Sequence, residues 1–574
     1  MVERSKGLRP RLPGLAAGSY RPPFRAPHVS LVLDGNEGQA PPIDLGQLLA
    51  GAGPEAVRRY PNARRLEELL ALRHGLRPEN VLATAGADDA LDRCLRAYAG
   101  PGNPVVAARP TFEMVVRYAR LARAEVREVP WTDGPFPREG FIRAAGRDAG
   151  VLAVVTPNNP TGLVASASDL SALSAAVPEA LLLVDLAYGD FADEDLTAAA
   201  LALPNAVVLR SFSKAGGLAG LRSGYALGPE EVIGVLRAAG QPYALSMPAI
   251  RVTEALLGLG NSDPTGYVSA ARAERVRLNE VTAELGLSPL PSQANFVCCI
   301  TPRARRIHAG LMSLGISVRH FAGREGMESY LRITCPGREQ DMDRLEAALR
   351  TVVTPEALLF DMDGVLADVS GSYHEAIVAA AASFGITVDS AMIREAKQQP
   401  GANNDWVVTQ RLLAAQGCQV TLDEAKDRFE AAYQGTFDAP GLWTRETLLP
   451  RMELLVELSK RMPLGIVTGR PRYDAERFLE RTGIGSLFAT VVCMEDAPLK
   501  PDPAPVRLAL SRLGVSRAWL VGDTPDDLVA ARGAGVLPLA VLPPAAKPGI
   551  RERLAAAGAA EVMESLEPLM EMIA

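Results

Sequence analysis

Cysteine and histidine are scarce in this sequence. The chain has 574 residues but only six cysteines and five histidines. No two cysteines have the C-x-x-C spacing, and a chain of this length buries enough apolar surface to fold without disulfides. We therefore expect reduced thiols and exclude a small disulfide-stapled scaffold. The histidines are scattered without the spacing of a zinc site, which argues against histidine-based metal chemistry.

The sequence also lacks long apolar runs and clustered positive charge. No run approaches the roughly 18 apolar residues of a transmembrane helix. The N-terminal segment carries Glu3, Arg4 and Lys6 where a secretory signal would be apolar. The net charge is -7, without the basic stripe that nucleic-acid binding requires. These features predict a cytoplasmic protein that acts on small molecules, with no membrane or nucleic-acid partner.

Lysine is rare relative to arginine. The chain has seven lysines and 53 arginines, so most surface positive charge is arginine. A desolvated lysine can lose its proton and attack a carbonyl, whereas arginine stays protonated and forms no imine. A lysine inside a motif that requires a primary amine is therefore informative. Lys214 and Lys500 are the two lysines in such positions.

Apolar segments of strand length alternate with helix-like segments along the whole chain. Their continuous hydrophobicity is typical of parallel strands buried on both faces, and it predicts an α/β fold. The clearest examples are Val151–Thr156, Leu181–Asp185, Val207–Leu209, Leu358–Phe360, Leu464–Val467 and Trp519–Val521. A short join at residues 351–356, which contains Pro355, predicts two domains, 1–353 and 354–574.

Lys214 follows an apolar strand and precedes a glycine-rich segment at residues 216–220. Alone, it could be a solvated loop lysine. Asp185 ends another apolar strand, where a carboxylate points into the ligand crevice of an α/β sheet, although it could also cap the following turn. The segment 156–162 is by itself only a well-formed turn. The order of these segments along the chain is more informative than any one of them.

Together these segments resemble fold-type I pyridoxal-phosphate aminotransferases, in the histidinol-phosphate aminotransferase branch, over about residues 28–353. That family has a large domain, here about 46–249, and a small domain, here about 1–45 and 250–353. The resemblance is carried by the ordered segments 33–37, 60–61, 86–89, 110–112, 158–162, 185–188, 211–214, 219–222, 294–296 and 331–334. The family usually has glutamate at position 186 and tyrosine at position 112, where this chain has leucine and phenylalanine.

The resemblance implies a role for each matching residue. Lys214 would hold the cofactor as an imine and carry the proton of the substrate α-carbon. Asp185 would face the pyridine nitrogen, and Tyr188 and Asn159 would bind the ring oxygen. The remaining cofactor-binding residues would be Phe112 against the ring and Gly86, Ala87, Ser211, Ser213, Arg222 and a partner subunit's Tyr60 around the phosphate. The substrate-binding residues would be Arg332, Asn36 and Tyr20, of which Tyr20 could instead be an exposed N-terminal tyrosine.

In the second half of the chain, Asp361 and Asp363 follow the strand Leu358–Phe360. Alone, the pair could be a solvent-facing acidic turn. Two carboxylates at this spacing can also reach one phosphate, where one attacks phosphorus and the other protonates the leaving oxygen. Thr468 follows the next apolar strand, Lys500 lies in a Leu-Lys-Pro-Asp-Pro segment, and further aspartates follow Val521.

This ordered set resembles the haloacid-dehalogenase superfamily over about residues 356–574. The resemblance implies Asp361 as the nucleophile that forms an aspartyl-phosphate and Asp363 as the general acid and base. Thr468 and Lys500 would bind the phosphate. A Mg²⁺ site would be formed by Asp361, Asp363, Asp523 and Asp527, with Asp526 as a substitute for Asp527.

Roughly 100 residues separate Asp363 from Thr468, far more than an ordinary loop contains. The helical pattern inside this interval predicts a helical cap at about residues 368–450. A phosphonate-cleaving relative would lack the second aspartate and use a cap lysine. Asp363 favours phosphomonoester hydrolysis, although Lys397 and Lys426 leave the phosphonate alternative open.

The two resemblances together imply a bifunctional enzyme, a homodimer through its first half. It would transfer nitrogen between histidinol phosphate and 2-oxoglutarate and hydrolyse a phosphomonoester, which could be the same compound, in histidine biosynthesis. One alternative is a threonine-phosphate decarboxylase or another aminotransferase joined to a phosphatase of unrelated substrate. Another is a metabolite sensor with one inert half.

Overall fold

The computed structural model describes residues 22–51, 53–260, 263, 265–396, 404–436, 439–544, 546 and 548–573. Tyr20 and Lys397 lie outside these described residues. The described chain divides into two units. The first comprises residues 22–24, 32–304 and 318–343, and the second comprises residues 25–31, 305–317 and 344–573. Among the described residues, we find no helix with the length and hydropathy of a membrane span.

Strands and helices alternate through both units, as the sequence predicts. The described strands are β1 (Leu31–Leu33), β2 (Val81–Thr84), β3 (Val105–Arg109), β4 (Val126–Pro130), β5 (Val151–Val155), β6 (Leu181–Asp185), β7 (Ala206–Ser211), β8 (Gly224–Leu227), β9 (Phe296–Ile300), β10 (Ile316–His320), β11 (Tyr330–Thr334), β12 (Ala357–Phe360), β13 (Ala367–Asp368), β14 (Thr447–Leu448), β15 (Leu464–Val467), β16 (Phe488–Val492), β17 (Ala518–Gly522), β18 (Leu537–Val541) and β19 (Val562–Met563).

The described helices are α1 (Leu45–Ala50), α2 (Glu55–Arg58), α3 (Arg64–His74), α4 (Ala87–Tyr98), α5 (Glu113–Leu121), α6 (Arg138–Ala145), α7 (Ala167–Ala176), α8 (Thr197–Leu201), α9 (Glu230–Ala239), α10 (Met247–Gly258), α11 (Tyr267–Glu284), α12 (Ala304–Ser313), α13 (Glu339–Val353), α14 (Tyr373–Ser383), α15 (Ser390–Ala396), α16 (Asp405–Ala415), α17 (Leu422–Gln434), α18 (Met452–Arg461), α19 (Arg472–Thr482), α20 (Ala504–Leu513), α21 (Pro525–Gly533), α22 (Ile550–Ala556) and α23 (Leu569–Met572). Short 3-10 helices lie at Pro78–Asn80, Gly189–Phe191, Ala219–Leu221, Leu442–Arg445 and Gly485–Leu487.

The first unit contains a seven-stranded sheet of order β2-β8-β7-β6-β5-β3-β4. Strands β4, β3, β5, β6 and β7 run parallel, and β8 runs antiparallel to both β7 and β2. The predicted strands Val151–Thr156, Leu181–Asp185 and Val207–Leu209 therefore form neighbouring parallel strands. Their carboxyl ends meet at one edge of the sheet, the usual place of a ligand crevice in an α/β fold.

Both faces of this sheet are buried, which explains the continuous hydrophobicity of its strands. Alternate residues of one strand point to opposite faces. In β6, Leu182 and Val184 join the core on one face, whereas Leu181 and Leu183 join the core on the other. Each fully buried aliphatic side chain of this kind stabilises the fold by about 1.5–3 kcal/mol. The sheet is therefore a rigid support for residues that follow its carboxyl edge.

A second, four-stranded sheet has the order β1-β10-β11-β9, in which β11 pairs antiparallel with both β10 and β9. Arg332 lies in the middle of β11, opposite Cys298 of β9. The hydroxyl of Thr334 donates a hydrogen bond to the carbonyl of Leu33, 2.8 Å away. This sheet thus brings the segment that follows β1 close to β11.

The second unit contains a six-stranded sheet of order β16-β15-β12-β17-β18-β19, in which all pairs are parallel. The predicted strands at Leu358, Leu464 and Trp519 become its three central strands. The segment between β13 and β14, residues 369–446, contains α14 to α17, and we call it the helical insertion. It is helical, as predicted, and its role as a cap stays a prediction. The two short strands pair antiparallel where the insertion leaves and rejoins the sheet.

Candidate active sites

Lys214 and Asp185 both lie beyond the carboxyl edge of the seven-stranded sheet. Asp185 is the last residue of β6, and Lys214 follows β7, the neighbouring parallel strand. The Nζ atom of Lys214 donates a hydrogen bond to the carbonyl of Gly35 at 3.0 Å and lies 5.5 Å from the centre of the Tyr188 ring. Three residues of the predicted site are therefore neighbours.

Asp185 is buried, with 4% of its surface exposed. Burial raises the pKa of its carboxyl from 3.8 to about 6, because removal from water disfavours the charged form. The backbone amide of Ala187 donates to Oδ1 at 3.0 Å, and this bond opposes the rise. A carboxyl in this environment becomes charged most readily when a cation lies beside it.

The hydroxyl of Tyr188 accepts two amide hydrogen bonds. Asn36 Nδ2 donates at 3.0 Å and Asn159 Nδ2 donates at 3.4 Å. Asn36 is fully buried and has a positive φ of 55°, a conformation that asparagine tolerates better than most residues. Its side-chain oxygen accepts a hydrogen bond from Thr334 at 2.8 Å. Asn36 is thus fixed in place between β11 and Tyr188.

Arg332 places a buried guanidinium beside this group. Its Nη1 donates to Asn159 Oδ1 at 2.6 Å and its Nη2 donates to the carbonyl of Asp34 at 2.7 Å. The Nε atom is buried and has no hydrogen-bond partner among the described residues. Burial lowers the pKa of Arg332. A buried cation with an unused donor can accommodate an anionic ligand group.

The predicted phosphate-binding residues meet at the N-terminus of α4. Gly86 precedes this helix with a φ of +81°, and a Cβ there would lie only 2.9 Å from Nη2 of Arg222. Arg222 donates to Ser213 Oγ at 3.3 Å and to Asp88 at 3.0 Å. The free amides of a helix N-terminus and a guanidinium together suit a phosphate. Ala87 begins α4, and Ser211 Oγ accepts a hydrogen bond from the Ser213 amide at 3.1 Å.

Tyr60 and Phe112 are placed differently. Tyr60 is 79% exposed and stacks on Tyr243, with ring centres 4.7 Å apart. Phe112 precedes α5 and packs partly buried against the core on one face of the sheet. Among the described residues, no hydrogen bond or ring contact joins Tyr60 to the predicted site residues named above. Its role from a partner subunit and the ring-stacking role of Phe112 remain predictions.

In the second unit, Asp361 follows the central strand β12 and is 7% exposed. Lys500 Nζ lies 2.7 Å from Asp361 Oδ1 and 2.5 Å from Asp527 Oδ1. It also donates to the carbonyl of Val467 at 2.9 Å. Burial raises the pKa of Asp361 to about 7, and the charge of Lys500 opposes this rise. The ammonium offsets part of the negative charge around the predicted nucleophile.

Three carboxylates of this site could share a metal ion. One carboxylate oxygen each from Asp361, Asp523 and Asp527 lies within 4.8 Å of the others. Hard oxygen ligands in this number suit Mg²⁺. Gly364 has a φ of +74°, and a Cβ there would lie 2.2 Å from Asp523 Oδ2, so only glycine fits. Three of the four predicted metal ligands are therefore brought together.

The fourth predicted ligand, Asp363, pairs with Arg470. Both Nε and Nη2 of Arg470 lie 2.6 Å from Asp363 Oδ1. Arg470 is 1% exposed, and its Nη1 also donates to Glu446 Oε2 at 3.0 Å. Thr468 follows β15 and accepts a hydrogen bond from the Arg470 amide at 3.1 Å through its hydroxyl. The carboxylate of Asp363 as a metal ligand remains a prediction.

A cleft lies beside Asp363, between the helical insertion and the sheet. Its walls combine acidic and aromatic side chains with Arg470. The lining residues are Asp363, Tyr373, Asn404, Asp405, Trp406, Phe429, Glu430, Gly469, Arg470, Pro471 and Met494. The indole Nε1 of Trp406 donates to Glu430 at 2.9 Å, and the ammonium of Lys426 lies 4.2 Å from the centre of the Trp406 ring.

Comparison with known protein families identifies both halves. The model of the class I and II aminotransferases matches residues 35–349, more than half of the chain. The chain belongs to this family. The model of the haloacid dehalogenase-like hydrolases matches residues 358–541, which we call the hydrolase domain. Both predicted families are confirmed. The predicted domain boundary at 353/354 falls in the interval between the two matches, and it stays a prediction.

One similar protein agrees with the aminotransferase assignment, and another is named a dehydratase. The chain is 36% identical over 335 residues to the histidinol-phosphate aminotransferase of Roseiflexus castenholzii. This match covers 56% of this chain and 89% of that protein. It is 46% identical over 197 residues to an imidazoleglycerol-phosphate dehydratase of Phytophthora nicotianae. That match covers 33% of this chain, and the chain spans only 44% of the dehydratase.

The solved structure of histidinol-phosphate aminotransferase from Sinorhizobium meliloti, in complex with pyridoxal-5'-phosphate, has the same fold. It aligns with a TM-score of 0.54 and 24% sequence identity over 61% of this chain and 99% of that chain. The predicted fold class, a fold-type I aminotransferase followed by a hydrolase of the haloacid dehalogenase type, is therefore confirmed.

Sequence reasoning left several supporting residues of the aminotransferase site without a role. Asn295 Nδ2 donates to the carbonyl of Asn36 at 3.2 Å and to the hydroxyl of Tyr267 at 2.9 Å. Tyr267 in turn donates to the carbonyl of Cys335 at 3.0 Å. Asn295 lies in a matching motif and could have been assigned, whereas Tyr267 is an ordinary helix residue in the sequence. In the hydrolase domain, Arg470 and Glu446 were also left without a predicted role.

Proposed function

We propose that this chain is a bifunctional enzyme with a pyridoxal-phosphate-dependent transaminase at Lys214 and a phosphomonoesterase at Asp361. The observation that carries the first activity is the grouping of Lys214, Asp185 and Tyr188 beyond one sheet edge. Arg332 lies beside them, and its buried Nε atom has no hydrogen-bond partner in the part of the chain that the structure describes. An amine, an acid, a phenol and a carboxylate-binding cation are the groups that transamination requires.

The described residues fit pyridoxal phosphate. Its phosphate suits the N-terminus of α4 with Ser211, Ser213 and Arg222, and Gly86 keeps that position open. Its ring nitrogen suits Asp185, whose buried carboxyl gains most from a neighbouring cation. When bound, pyridoxal phosphate supplies an electron sink for the bonds of the substrate α-carbon.

Each residue then has a defined task. The Nζ atom of Lys214 takes the proton from the substrate α-carbon. Arg332 holds the substrate carboxylate, or the phosphate of a substrate without a carboxylate, by charge-assisted hydrogen bonds. Tyr188, Asn36 and Asn159 form one hydrogen-bonded group that orients the reacting centre.

Histidinol phosphate with 2-oxoglutarate is the substrate pair we propose. The support is the identity of 36% with a histidinol-phosphate aminotransferase and the similarity to an imidazoleglycerol-phosphate dehydratase. Both names belong to histidine biosynthesis. Tyr20, predicted to contact the substrate phosphate, lies outside the described residues, so it adds no support.

In the hydrolase domain, we assign the chemistry to Asp361 and Asp363. A carboxylate oxygen of Asp361 forms a bond to phosphorus while the ester P–O bond breaks and Asp363 gives its proton to the leaving oxygen. Asp363 then takes a proton from water as the water oxygen attacks phosphorus. The Asp361 P–O bond breaks, and inorganic phosphate is released. Lys500 and Thr468 hold the phosphoryl oxygens beside Asp361.

The carboxylates of Asp361, Asp523 and Asp527 would hold Mg²⁺, as their spacing allows. The ion would supply positive charge where the phosphate meets these carboxylates. The helical insertion would act as a cap over the cleft and exclude water.

The cleft itself supports a cationic phosphomonoester. Asp405, Glu430 and the Trp406 ring line it, and the ring already carries the ammonium of Lys426 on one face. Aromatic faces and carboxylates attract organic cations, whereas they disfavour a second anionic group. Histidinol phosphate, an amine that carries one phosphate, has this chemistry.

We also propose a homodimer through the aminotransferase domain. Tyr60 is 79% exposed and stacks only on Tyr243 among the described residues. The proposal gives this exposed phenol the function predicted for it, a hydrogen bond to the cofactor phosphate of a partner subunit.

The test is a substrate panel on the wild type, Lys214→Ala and Asp361→Asn. Histidinol phosphate with 2-oxoglutarate should yield glutamate with the wild type and Asp361→Asn, but not with Lys214→Ala. Phosphate should be released by the wild type and Lys214→Ala, but not by Asp361→Asn. Release of CO₂ from O-phosphothreonine without glutamate would assign a decarboxylase instead, and no turnover of any compound would contradict the enzyme assignment.

A further inference from the structure

Arg470 joins the predicted general acid of the hydrolase domain to the helical insertion. Its guanidinium lies between two carboxylates, Asp363 at 2.6 Å and Glu446 at 3.0 Å. Glu446 is the last residue of the insertion and immediately precedes β14. The pair is fully buried, with Arg470 1% and Glu446 3% exposed. A buried charged pair tolerates little change in geometry, because loss of one partner leaves the other charge unsolvated.

Glu446 extends the contact to both ends of the insertion. Its Oε1 accepts hydrogen bonds from Ser372 Oγ at 2.9 Å and from Tyr433 Oη at 3.0 Å. Ser372 precedes α14, the first helix of the insertion, and Tyr433 lies near the end of α17. The path Asp363–Arg470–Glu446 therefore ends at the first and the last α-helix of the insertion.

The geometry at Asp363 favours one carboxyl oxygen. Both contacts from Arg470 reach Oδ1, and among the described residues no hydrogen bond reaches Oδ2. Asp363 lines the cleft and its side chain is 30% exposed. A fixed Oδ1 leaves Oδ2 as the oxygen that can face an ester.

Aromatic packing restricts the guanidinium further. The Cζ atom of Arg470 lies 5.0 Å from the ring centre of Tyr373 and 5.4 Å from that of Phe478. Arginine presents a planar fork whose Nε and Nη1 atoms here donate to two different carboxylates, whereas lysine offers all its donors from a single nitrogen. The shape of the guanidinium therefore explains why this position is occupied by arginine.

We propose that Arg470 is a positioning residue for proton transfer by Asp363, and that it relays the position of the helical insertion to that carboxyl through Glu446. The inference rests on the proposed phosphomonoesterase activity. The insertion then does more than close the cleft. Its contacts with Glu446 orient Asp363, the group that protonates the leaving oxygen, through Arg470. A displaced insertion would leave Asp361 able to attack while the leaving group stays unassisted.

The experiment compares two esters of similar shape, phenyl phosphate and 4-nitrophenyl phosphate, with Mg²⁺ present. Nitrophenolate leaves readily without a proton, whereas phenolate depends on the general acid. Arg470→Lys should lower kcat/KM for phenyl phosphate at least about tenfold more than for 4-nitrophenyl phosphate, since general acid catalysis contributes about 10²–10⁴-fold. Tyr433→Phe, which removes only the hydroxyl on Glu446, should show the same selectivity with a smaller loss.

Arg477→Lys is the matched control. Arg477 contacts the insertion through Gln434 at 2.7 Å and Trp443 at 4.2 Å but contacts no carboxylate of the proposed catalytic pair. It should reduce turnover of both esters by the same factor. Equal losses for both esters in Arg470→Lys would overturn the positioning role, and equal losses in Tyr433→Phe would overturn the relay to the insertion.

Failure of the phosphatase assignment would be a different result. In that case the wild type would hydrolyse neither ester, or Asp361→Asn would retain the wild-type rate. Far-UV circular dichroism and transamination by the same preparations establish that each variant is folded.

Discussion

The Nζ atom of Lys500 lies 2.7 Å from Oδ1 of Asp361 and 2.5 Å from Oδ1 of Asp527, at a point where all three side chains are buried. A single ammonium therefore bridges the proposed nucleophile and a carboxylate of the candidate metal group. Its small size matters, because the bulkier planar guanidinium of arginine cannot occupy the same point between two buried carboxylates.

We predict that Lys500→Met and Lys500→Arg each lower phosphate release from 4-nitrophenyl phosphate by at least about 100-fold, because the phosphoryl group loses a charged ligand and Asp361 loses its counterion. Initial rates of phosphate release measure the effect. Lys460→Met is the control, since Lys460 pairs with Glu457 at an exposed site. Phosphate release close to the wild-type rate in Lys500→Met would show that this lysine is dispensable.

Lys214→Arg should abolish glutamate formation although it conserves the charge, because arginine neither forms an imine nor gives up its proton. We expect the rate of glutamate formation to fall by at least about 1,000-fold. A coupled dehydrogenase assay measures this rate. Phosphate release by the same preparation should equal that of the wild type. Retention of transamination in Lys214→Arg would mean that another group moves the proton.

Asp185→Asn should stabilise the aminotransferase domain of cofactor-free protein near neutral pH. Burial raises the folded-state pKa of Asp185 from 3.8 to about 6, so the folded protein binds a proton that the unfolded chain has lost in this interval. Stability therefore falls as pH rises from about 4 to 6, and the full cost of the buried charge, about 3 kcal/mol at most, is present above pH 6.

Thermal unfolding of cofactor-free protein at pH 4.5 and pH 7.5 measures this difference. We expect the variant to melt at a higher temperature than the wild type at about pH 7.5, and the gap to shrink towards pH 4.5. Asp343→Asn is the control, since Asp343 is an exposed carboxylate of the same domain that pairs with Arg277. A gap that is independent of pH would show that the pKa of Asp185 is the same in the folded and unfolded states. With pyridoxal phosphate bound, Asp185→Asn should lose activity instead.

The sequence contains enough information for the parallel strands and for the residues that follow them. Strands buried on both faces are continuously apolar, and β6, β7 and β12 were all predicted from this pattern. Asp185 ends β6 and Asp361 follows β12. Both positions could be predicted, because residues at the end of such a strand lie at the sheet edge. The predicted roles of both aspartates depend on residues that are close in sequence, so short motifs were sufficient to predict them.

The residues that support the sites could not be found in this way. Arg470 contacts Asp363 across 107 positions of sequence and Glu446 across 24, and neither spacing has a motif. Tyr267 meets Asn295 only because α11 packs near β9. Such contacts are set by tertiary packing, which local patterns do not encode. The same reason explains why the contact between Asp363 and Arg470 was not predicted.

Trp406→Ala should weaken the binding of a cationic phosphomonoester more than that of a neutral one. The ring lines the cleft and binds the ammonium of Lys426 at 4.2 Å, so its π face attracts cations. We expect KM for histidinol phosphate to rise about tenfold more than KM for phenyl phosphate, consistent with about 1–2 kcal/mol for a desolvated cation–π contact. Trp443→Ala, which removes a tryptophan outside the cleft, should affect both esters equally. An equal rise with Trp406→Ala would contradict recognition of a cation.

Mixed dimers provide the test of the exposed tyrosine. Tyr60 is 79% exposed, and among the described residues it stacks on Tyr243 rather than on the site of its own chain. If each cofactor phosphate receives a phenol from the partner, Tyr60→Ala and Lys214→Ala damage different sites within a hybrid dimer. One site then carries both lesions, whereas the other has an intact lysine from one chain and an intact tyrosine from its partner.

Random exchange of the two variants makes half of the dimers hybrids, each with one intact site, so about a quarter of the wild-type transamination rate should return after mixing. Each variant alone should remain strongly impaired. Tyr60→Ala mixed with an excess of Lys214→Ala should approach full rescue per molecule of Tyr60→Ala, because nearly every such chain then has a partner with an intact tyrosine. A chain that supplied its own Tyr60 would show no rescue at any ratio, since every site would keep one of the two lesions. Glutamate formation measured across a series of mixing ratios therefore separates a shared site from a self-contained one, without relying on the oligomeric state alone.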